Sequence, residues 1–402
     1  THTGGRPAPF NAAPARGKAA HRARVSETVE MVCRRFSGHP ARWILPLSGG
    51  VDSRALLFYL HDRPGLQTIT WGVSGARNQE GNDAQIARSL ADVFGIPNRY
   101  FPTDFSKEPR ERLIRRFLTA GEGRVAQISG YLDGFAVWKT LFDEGFDGIV
   151  RGDEAFGTVF VHNAAAARFR TRVTLLSDYF DAGEIASFEL PEQRVPAELE
   201  RRAGETLSTY RDRLYQEFSI PAALAALTDL KAAYVEVANP LLAASVLDCV
   251  GDLPDELRTN KRLWRETVAA QLPEVPFASQ MAVMAIEDFV TDRAVLTLML
   301  DEMHGENAAA VFAPALRKGM CSALYAALKA DTSPARPARV KLQLARMLPP
   351  GVAAAVRSWR SVRNPLNPLV FAFRAFLVLR MNELLELDAA TAPASLRRAV
   401  HL

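Results

Sequence analysis

A short apolar run, Trp43-Ile44-Leu45-Pro46-Leu47, breaks off into Ser48-Gly49-Gly50-Val51-Asp52-Ser53, and a helical pattern then carries the chain through Leu60. A strand with no polar face must be covered on both sides, which is the position of a strand inside a parallel sheet flanked by helices. Pro46 cannot donate a ladder hydrogen bond and so belongs near the strand's end. Further strand-like runs at Thr68–Val73, Arg99–Phe101 and Gly148–Val150 alternate with helical patterns. These helical patterns lie at Val25–Phe36 with Ser26 as cap, Glu80–Phe94, Glu108–Leu118 and Tyr131–Glu144. Such alternation predicts an α/β fold on a parallel sheet with right-handed crossovers. Beyond Thr158 the pattern is mostly helical, with loops at Pro191–Pro196 and Asn239-Pro240, and no internal repeat is present.

Three regions follow. Residues 1–24 are Gly, Pro, Ala and Arg with almost no large apolar side chains, the composition of a flexible arm or linker. Residues 25–280 hold the sheet-forming pattern, and residues 281–402 read as a helical extension with a basic segment at 332–382. Nine basic residues and no acid lie between Thr332 and Asn382, so the formal net charge of +4 hides an acidic body and a basic tail. Trp359, Phe371, Phe373, Phe376 and Leu377 are interspersed with arginines there. That pattern fits either a helix lying on an anionic membrane surface or, the favoured reading, a packing helix whose arginines meet the acidic body.

Apolar residues at 48% and charged residues at 23% exclude a disordered or collagenous chain. Cys33, Cys249 and Cys321 are far apart, which argues against a structural zinc site or a disulfide framework and for a reducing, cytoplasmic setting. The histidines show no H-x-x-x-H spacing, and His162 reads as structural. No run of 18 apolar residues and no signal-peptide pattern occurs.

The turn after the first strand carries the chemistry. Where a parallel strand gives way to a helix, unpaired N–H groups and the helix dipole converge. Gly49 and Gly50 let the backbone approach an anion, and Ser48 and Ser53 can donate hydroxyl hydrogen bonds to it. Asp52 would repel a bare phosphate, so it makes sense if Mg2+ lies between them. No Gly-Lys-Ser/Thr follows, so this is not a Walker A loop. The competing reading is an ordinary glycine turn with a capped helix.

At Ser48–Ser53 the chain resembles the PP-loop (adenine nucleotide alpha hydrolase-like) ATP pyrophosphatases, and further segments resemble the synthetase domain of asparagine synthetases. These are Gly148-Ile149-Val150-Arg151-Gly152-Asp153-Glu154-Ala155-Phe156-Gly157, then Val235-Glu236-Val237-Ala238-Asn239-Pro240-Leu241-Leu242, then Leu253-Pro254, Asn260–Arg265 and Leu272-Pro273. The resemblance covers roughly Val25 to Phe277. It implies that Ser48, Gly49, Gly50 and Ser53 hold the pyrophosphate end of ATP. It also implies that Asp52 and Asp153 bind Mg2+, with Glu154 beside them, and that Leu47, Trp71 and Gly152 line the nucleotide site. The implied activity is adenylation of a small-molecule or glycan carboxylate, releasing pyrophosphate, followed by transfer to ammonia or an amine.

Three departures accompany the resemblance. No glutaminase domain precedes the motif in this sequence, so the expectation is ammonia from solution or a separate glutaminase, or a different amine as nucleophile; residues 1–24 resemble the linker that would follow such a domain, which leaves a piece of a longer protein as an open reading. The family's extra carboxylate falls near Val150, where there is none. Its lysine after the last L-P falls near Phe277-Ala278-Ser279-Gln280, where no cation stands. Arg151 is either a replacement for that charge or a partner of Glu154, and Lys261 is either a replacement or a helix-surface lysine. The expected function is an AMP-forming amide ligase of natural-product or polysaccharide biosynthesis, cytoplasmic or peripheral at the inner membrane face. The alternatives are a non-catalytic nucleotide-binding subunit and a tRNA-modifying enzyme, although without zinc ligands or a catalytic cysteine pair nucleic acid is the weaker partner.

Overall fold

In the computed structural model, residues 17–37, 42–153, 159–179, 192–272, 274–330 and 366–391 are described. Five short strands form one parallel sheet: β1 Trp43–Pro46, β2 Thr68–Gly72, β3 Asn98–Pro102, β4 Gly148–Val150 and β5 Glu236–Ala238, in the order β3-β2-β1-β4-β5. The α/β parallel-sheet architecture expected from the sequence is thus present. Every residue of β1 is buried, as its lack of a polar face requires. Pro46 does end the strand, and the ladder resumes where Leu47 N–H donates to Ile69 O (2.7 Å).

The register brings Trp43 beside Gly148 and Ile44 beside Ile149. A Cβ on Gly148 would sit 2.3 Å from the Trp43 ring, so only glycine lets β4 lie this close. On the other side of β1, two buried threonines spend their hydroxyls on backbone. Thr70 donates to Leu47 O (2.7 Å), Thr68 donates to Pro97 O (3.0 Å), and Asn98 Nδ2 donates to both threonine hydroxyls. Buried polar groups are tolerated here because each is satisfied.

Helices α1 Lys18–Ser37, α2 Val51–Leu60, α3 Asp83–Val93, α4 Arg110–Gly121 and α5 Ala136–Asp143 alternate with the first four strands. Val25, Val29, Val32 and Cys33 of α1 join Leu56, Leu57 and Leu60 of α2 in the main core, with Val246 and Trp264. Three local expectations need correction. Residues 18–24 are helical rather than part of a flexible arm, and Ser26 lies inside α1 rather than capping it. Lys, Ala and Arg are good helix formers, and Lys18 and Arg24 reach Glu266 and Asp252 (2.5 Å each). The pattern at Tyr131–Glu144 yields a helix only from Ala136, because Gly134 and Phe135 take positive φ. β5 was not anticipated: three residues are too few to show a period-2 pattern.

The chain divides into two compact units. The first comprises residues up to Glu108, Gln127–Val161 and Ala203–Ala285, and holds the whole sheet. The second comprises Pro109–Ala126, His162–Arg202 and Ile286 onward, and is built of helices in its described part. There α4 and the helices Arg293–His304, Pro314–Lys329 and Pro368–Thr391 bury Phe117, Met299, Phe373 and Phe376. Arg380 reaches Glu302 and Glu383 (3.0 Å each), so the described part of the basic segment behaves as a packing helix. Residues 332–365, where most of its arginines lie, are outside the described residues.

Replacing Gly148 by alanine forces the Trp43 ring or β4 to shift and should destabilise the first unit by about 1–3 kcal/mol, the range of an overpacked core. A urea titration of Gly148→Ala whose midpoint matches the parent chain would show that β4 does not lie this close to β1.

Candidate functional site

From β1 the chain builds outward through β2 to β3 on one side, and β4 and β5 lie on the other. The crevice beyond the carboxyl ends of β1 and β4 is therefore a topological switch point, where open α/β sheets bind ligands. The two motifs single out this place. The turn after β1 and the loop after β4 meet backbone to backbone: a Cβ on Gly152 would lie 2.9 Å from both Asp52 C and Ser53 N.

Inside the first turn, Ser48 N–H donates to Ser53 Oγ (3.0 Å), the two hydroxyls lie 2.9 Å apart, and Gly50 N–H donates to Ser48 Oγ (3.2 Å). Both serines thus shape the turn as well as bordering it. Gly50 is the N-cap of α2 and supplies no side-chain cap, so the positive end of that helix opens on the crevice. Gly49 N–H donates to Asp83 Oδ1 at the start of α3 (3.0 Å). Burial raises the Asp83 carboxyl above the usual range, opposed by the Gly49 and Ala282 amides.

A strap at 275–282 clamps this turn from outside. Ala278 N–H donates to Gly49 O (3.0 Å), Asp83 N–H to Gln280 O (3.0 Å) and Val73 N–H to Ala282 O (2.9 Å). A Cβ on Gly49 would strike Ala278, and one on Gly72 would strike Ala282 O, both at 2.4 Å. Arg54 of α2 fixes the strap by donating to Val275 O and Pro276 O (2.6 Å each), with its guanidinium 4.3 Å from the Phe277 ring. Burial, with Arg265 nearby, lowers Arg54 to about 10. Sequence reasoning passed over Arg54, although a charge among the apolar residues of α2 was a signal.

Asp52 accepts from Lys261 Nζ (2.6 Å) and from Trp264 Nε1 (3.1 Å). Lys261 is therefore no surface lysine; its side chain is 16% exposed. It reaches Asp52 from a strained corner in which Asn260 (φ 56°) and Lys261 (φ 54°) are both left-handed. Such conformations cost on the order of 1–3 kcal/mol each and persist only where the surroundings enforce them. The enforcement is visible. Arg258 donates to Asp212 and Asp255 (2.5 Å each) and to Leu253 O (2.7 Å). Arg211 donates to Asp212 (2.7 and 2.9 Å) and to Val159 O (2.7 Å). Phe160 N–H donates to Asn260 Oδ1 (3.2 Å), which ties the corner to the segment following the second acidic loop.

On the β4 side, Arg151 Nε lies 3.1 Å from Asp153 Oδ1. Asp153 Oδ2 is buried with no hydrogen-bond partner among the described residues, as are Asn239 Oδ1 just past β5 and Trp138 Nε1. Trp71 meets Trp138 edge to face at 5.2 Å, so its expected place beside a nucleotide coincides with an aromatic cluster. Lys231, which no sequence motif singles out, is buried with its amine 5.3 Å from Trp138 and 5.5 Å from Tyr131. Glu154 lies outside the described residues. Among the described residues no three His, Cys, Asp or Glu side chains gather as a metal-ligand set. Mg2+ needs only one or two carboxylates when phosphates complete its shell, and the orphaned Asp153 oxygen across from Asp52 suits that arrangement.

Comparison with known proteins places this geometry. A family model described as asparagine synthase matches residues 44–280, more than half of the chain. The chain belongs to the asparagine synthase family. No curated protein matches it. The matched region takes in all five strands, the turn at 48–53, the Asp153 loop, the Lys261 corner and most of the strap. Membership carries ATP-dependent amide-bond ligase chemistry as a class.

Gly152→Ala would push the two loops apart while leaving the strands intact. Circular dichroism should be unchanged, and the thermal stabilisation by ATP lost; a preserved ATP-dependent shift would mean that the two loops do not form one site.

Proposed function

We propose that this chain activates a carboxylate as its adenylate and transfers the acyl group to ammonia or an amine. The observation that supports it most is the backbone contact at Gly152 between the turn that carries Asp52 and opens the uncapped α2 N-terminus and the loop that carries Asp153. In this reading the uncapped α2 N-terminus receives the pyrophosphate end of ATP, with Ser48 and Ser53 keeping the turn in shape. The backbone around Leu47 and the edge at Trp71 and Gly72 border the base.

Asp52 and Asp153 would hold Mg2+, which when bound neutralises charge on the leaving pyrophosphate. Before nucleotide arrives, Lys261 neutralises Asp52. Afterwards the same ammonium is placed to face phosphate oxygens. A carboxylate oxygen attacks the α-phosphorus, the bond to the bridging oxygen breaks, and pyrophosphate leaves. The amine nitrogen then attacks the acyl carbon, the bond to the AMP oxygen breaks, and the amine loses a proton. Arg151 and Lys261 lie where negative charge grows in the first step, which is the use of fixed cations in a site of low dielectric.

The pathway placed here is natural-product or polysaccharide biosynthesis, with ammonia drawn from solution or a separate glutaminase. We place the work in the cytoplasm, with the basic segment at 332–382 as a candidate for contact with an anionic membrane surface. Among the described residues no helix is long and apolar enough to cross a membrane.

Product analysis with α-labelled ATP, Mg2+ and a pool of carboxylates and amines tests the reading. Labelled AMP should form. It should disappear on chelation with EDTA, and fall by about a hundredfold or more in Asp52→Ala or Asp153→Ala, the scale of losing a group that stabilises the transition state. Labelled ADP as the product would refute adenylation, and intact ATP under every condition would point to a nucleotide-binding subunit instead.

A further inference from the structure

The helix Ala225–Ala232 carries Lys231 in its last turn. Lys231 is 2% exposed, the one lysine in the core among the described residues. No carboxylate among those residues pairs with it. Its Nζ donates to Leu227 O within its own helix and lies over the Trp138 and Tyr131 rings. The charges that act on it are Arg151 and Asp153, of opposite effect.

A buried cation without a carboxylate is among the costliest groups a core can hold, and an apolar residue of like volume would remove that cost. Cation–π contact and one carbonyl only partly offset it. The residue therefore weakens the fold where it stands. Its surroundings have the same character, since Trp138 Nε1, a donor, is also buried with no hydrogen-bond partner among the described residues. Trp138 opens α5, whose chain leads directly into β4, and Arg151 follows β4. Lys231 thus lies against the Trp138 and Tyr131 rings and within electrostatic range of Arg151, the residue that follows β4. Those rings limit water, and in a low dielectric each charge acts at greater strength.

We propose that Lys231, with Trp138 Nε1 and Arg151, forms a buried receptor for the oxyanion that reacts, either the carboxylate of the acyl substrate or the α-phosphoryl group of ATP. The proposal deepens the adenylation reading and rests on it. Burial by itself pushes the Lys231 ammonium well below the ordinary lysine range. An arriving oxyanion supplies the missing counter-charge and restores full protonation, so the amine's charge is strongest when the substrate is present.

The test uses the full chain with Lys231→Met, which keeps the length and removes the charge, and Lys231→Arg, which keeps the charge. Thermal unfolding is read first, and Lys231→Met should melt at or above the temperature of the parent chain. Calorimetry then measures binding of an ATP analogue carrying a methylene between the α- and β-phosphorus. Thermal shifts with glutamate, succinate and benzoate, each added over the analogue, measure the carboxylate. Loss of about ten- to hundredfold in affinity, the worth of one charged hydrogen bond, is expected in Lys231→Met for one of the two ligands. Lys231→Arg should keep part of it. If the analogue is the ligand that weakens, the oxyanion is phosphoryl; if the carboxylate shift disappears, it is the acyl group. Unchanged responses to both ligands would overturn the proposal, as would a Lys231→Met chain that melts well below the parent. Failure of the parent chain itself to bind the analogue would sink the adenylation reading, and this one with it.

Discussion

Everything at this site depends on two backbones touching. The loop after β4 passes so near the turn after β1 that Gly152 has no room for a Cβ against Asp52 and Ser53. One strand's length lower, Gly148 has no room for one against Trp43. The two glycines mark the same fact at two heights: β4 is pressed against β1 from the core to the crevice. That contact brings the turn that carries Asp52 against the loop that carries Asp153, at the switch point of the sheet order. Backbone can approach this closely only where a side chain is missing.

The charges of the site are held in contrasting ways. Lys261 is satisfied, with its ammonium on Asp52, but reaching it requires two left-handed residues in succession. The corner's strain is offset by a buried network of Arg211, Asp212 and Arg258 that leaves its neighbours little freedom. Lys231 is unstrained, its ammonium on the Leu227 carbonyl and over two rings, with no carboxylate partner among the described residues. A fold that keeps both arrangements gives up stability at the carboxyl edge of its sheet. Strain and unpaired charge gather where a ligand is expected to resolve them.

The second unit shows why a basic, aromatic helix is ambiguous from composition. Arginine stems and aromatic rings suit a membrane surface and a protein interior equally well. What separates the two is whether the rings are covered. Phe373 and Phe376 are fully buried against neighbouring helices, and Arg380 is neutralised by Glu302 and Glu383. Those partners lie about eighty residues away and on an adjacent turn, so only the packing joins them.

The sequence by itself determined the strands β1 to β4, their parallel alternation with helices, and the turn at Ser48–Ser53. Those signals are local, a run of apolar residues or a pair of glycines at a strand's end, and local steric preference decides them. It determined the family as well, through short segments whose residue types are set by one chemistry. It did not determine the start of α1, the three-residue β5, or the helix that stops short at Gly134 and Phe135. Each of those depended on partners elsewhere in the chain or on a backbone conformation that the pattern does not display. It also left open what Arg54, Lys231 and Lys261 do. Arg54 serves the strap more than two hundred residues onward, and Lys261 crosses a similar distance back to Asp52. A side chain's charge is written in the sequence, but its dielectric surroundings and its counter-ion exist only once distant segments are packed together. The tertiary structure alone decided which lysine is paired and which is buried alone.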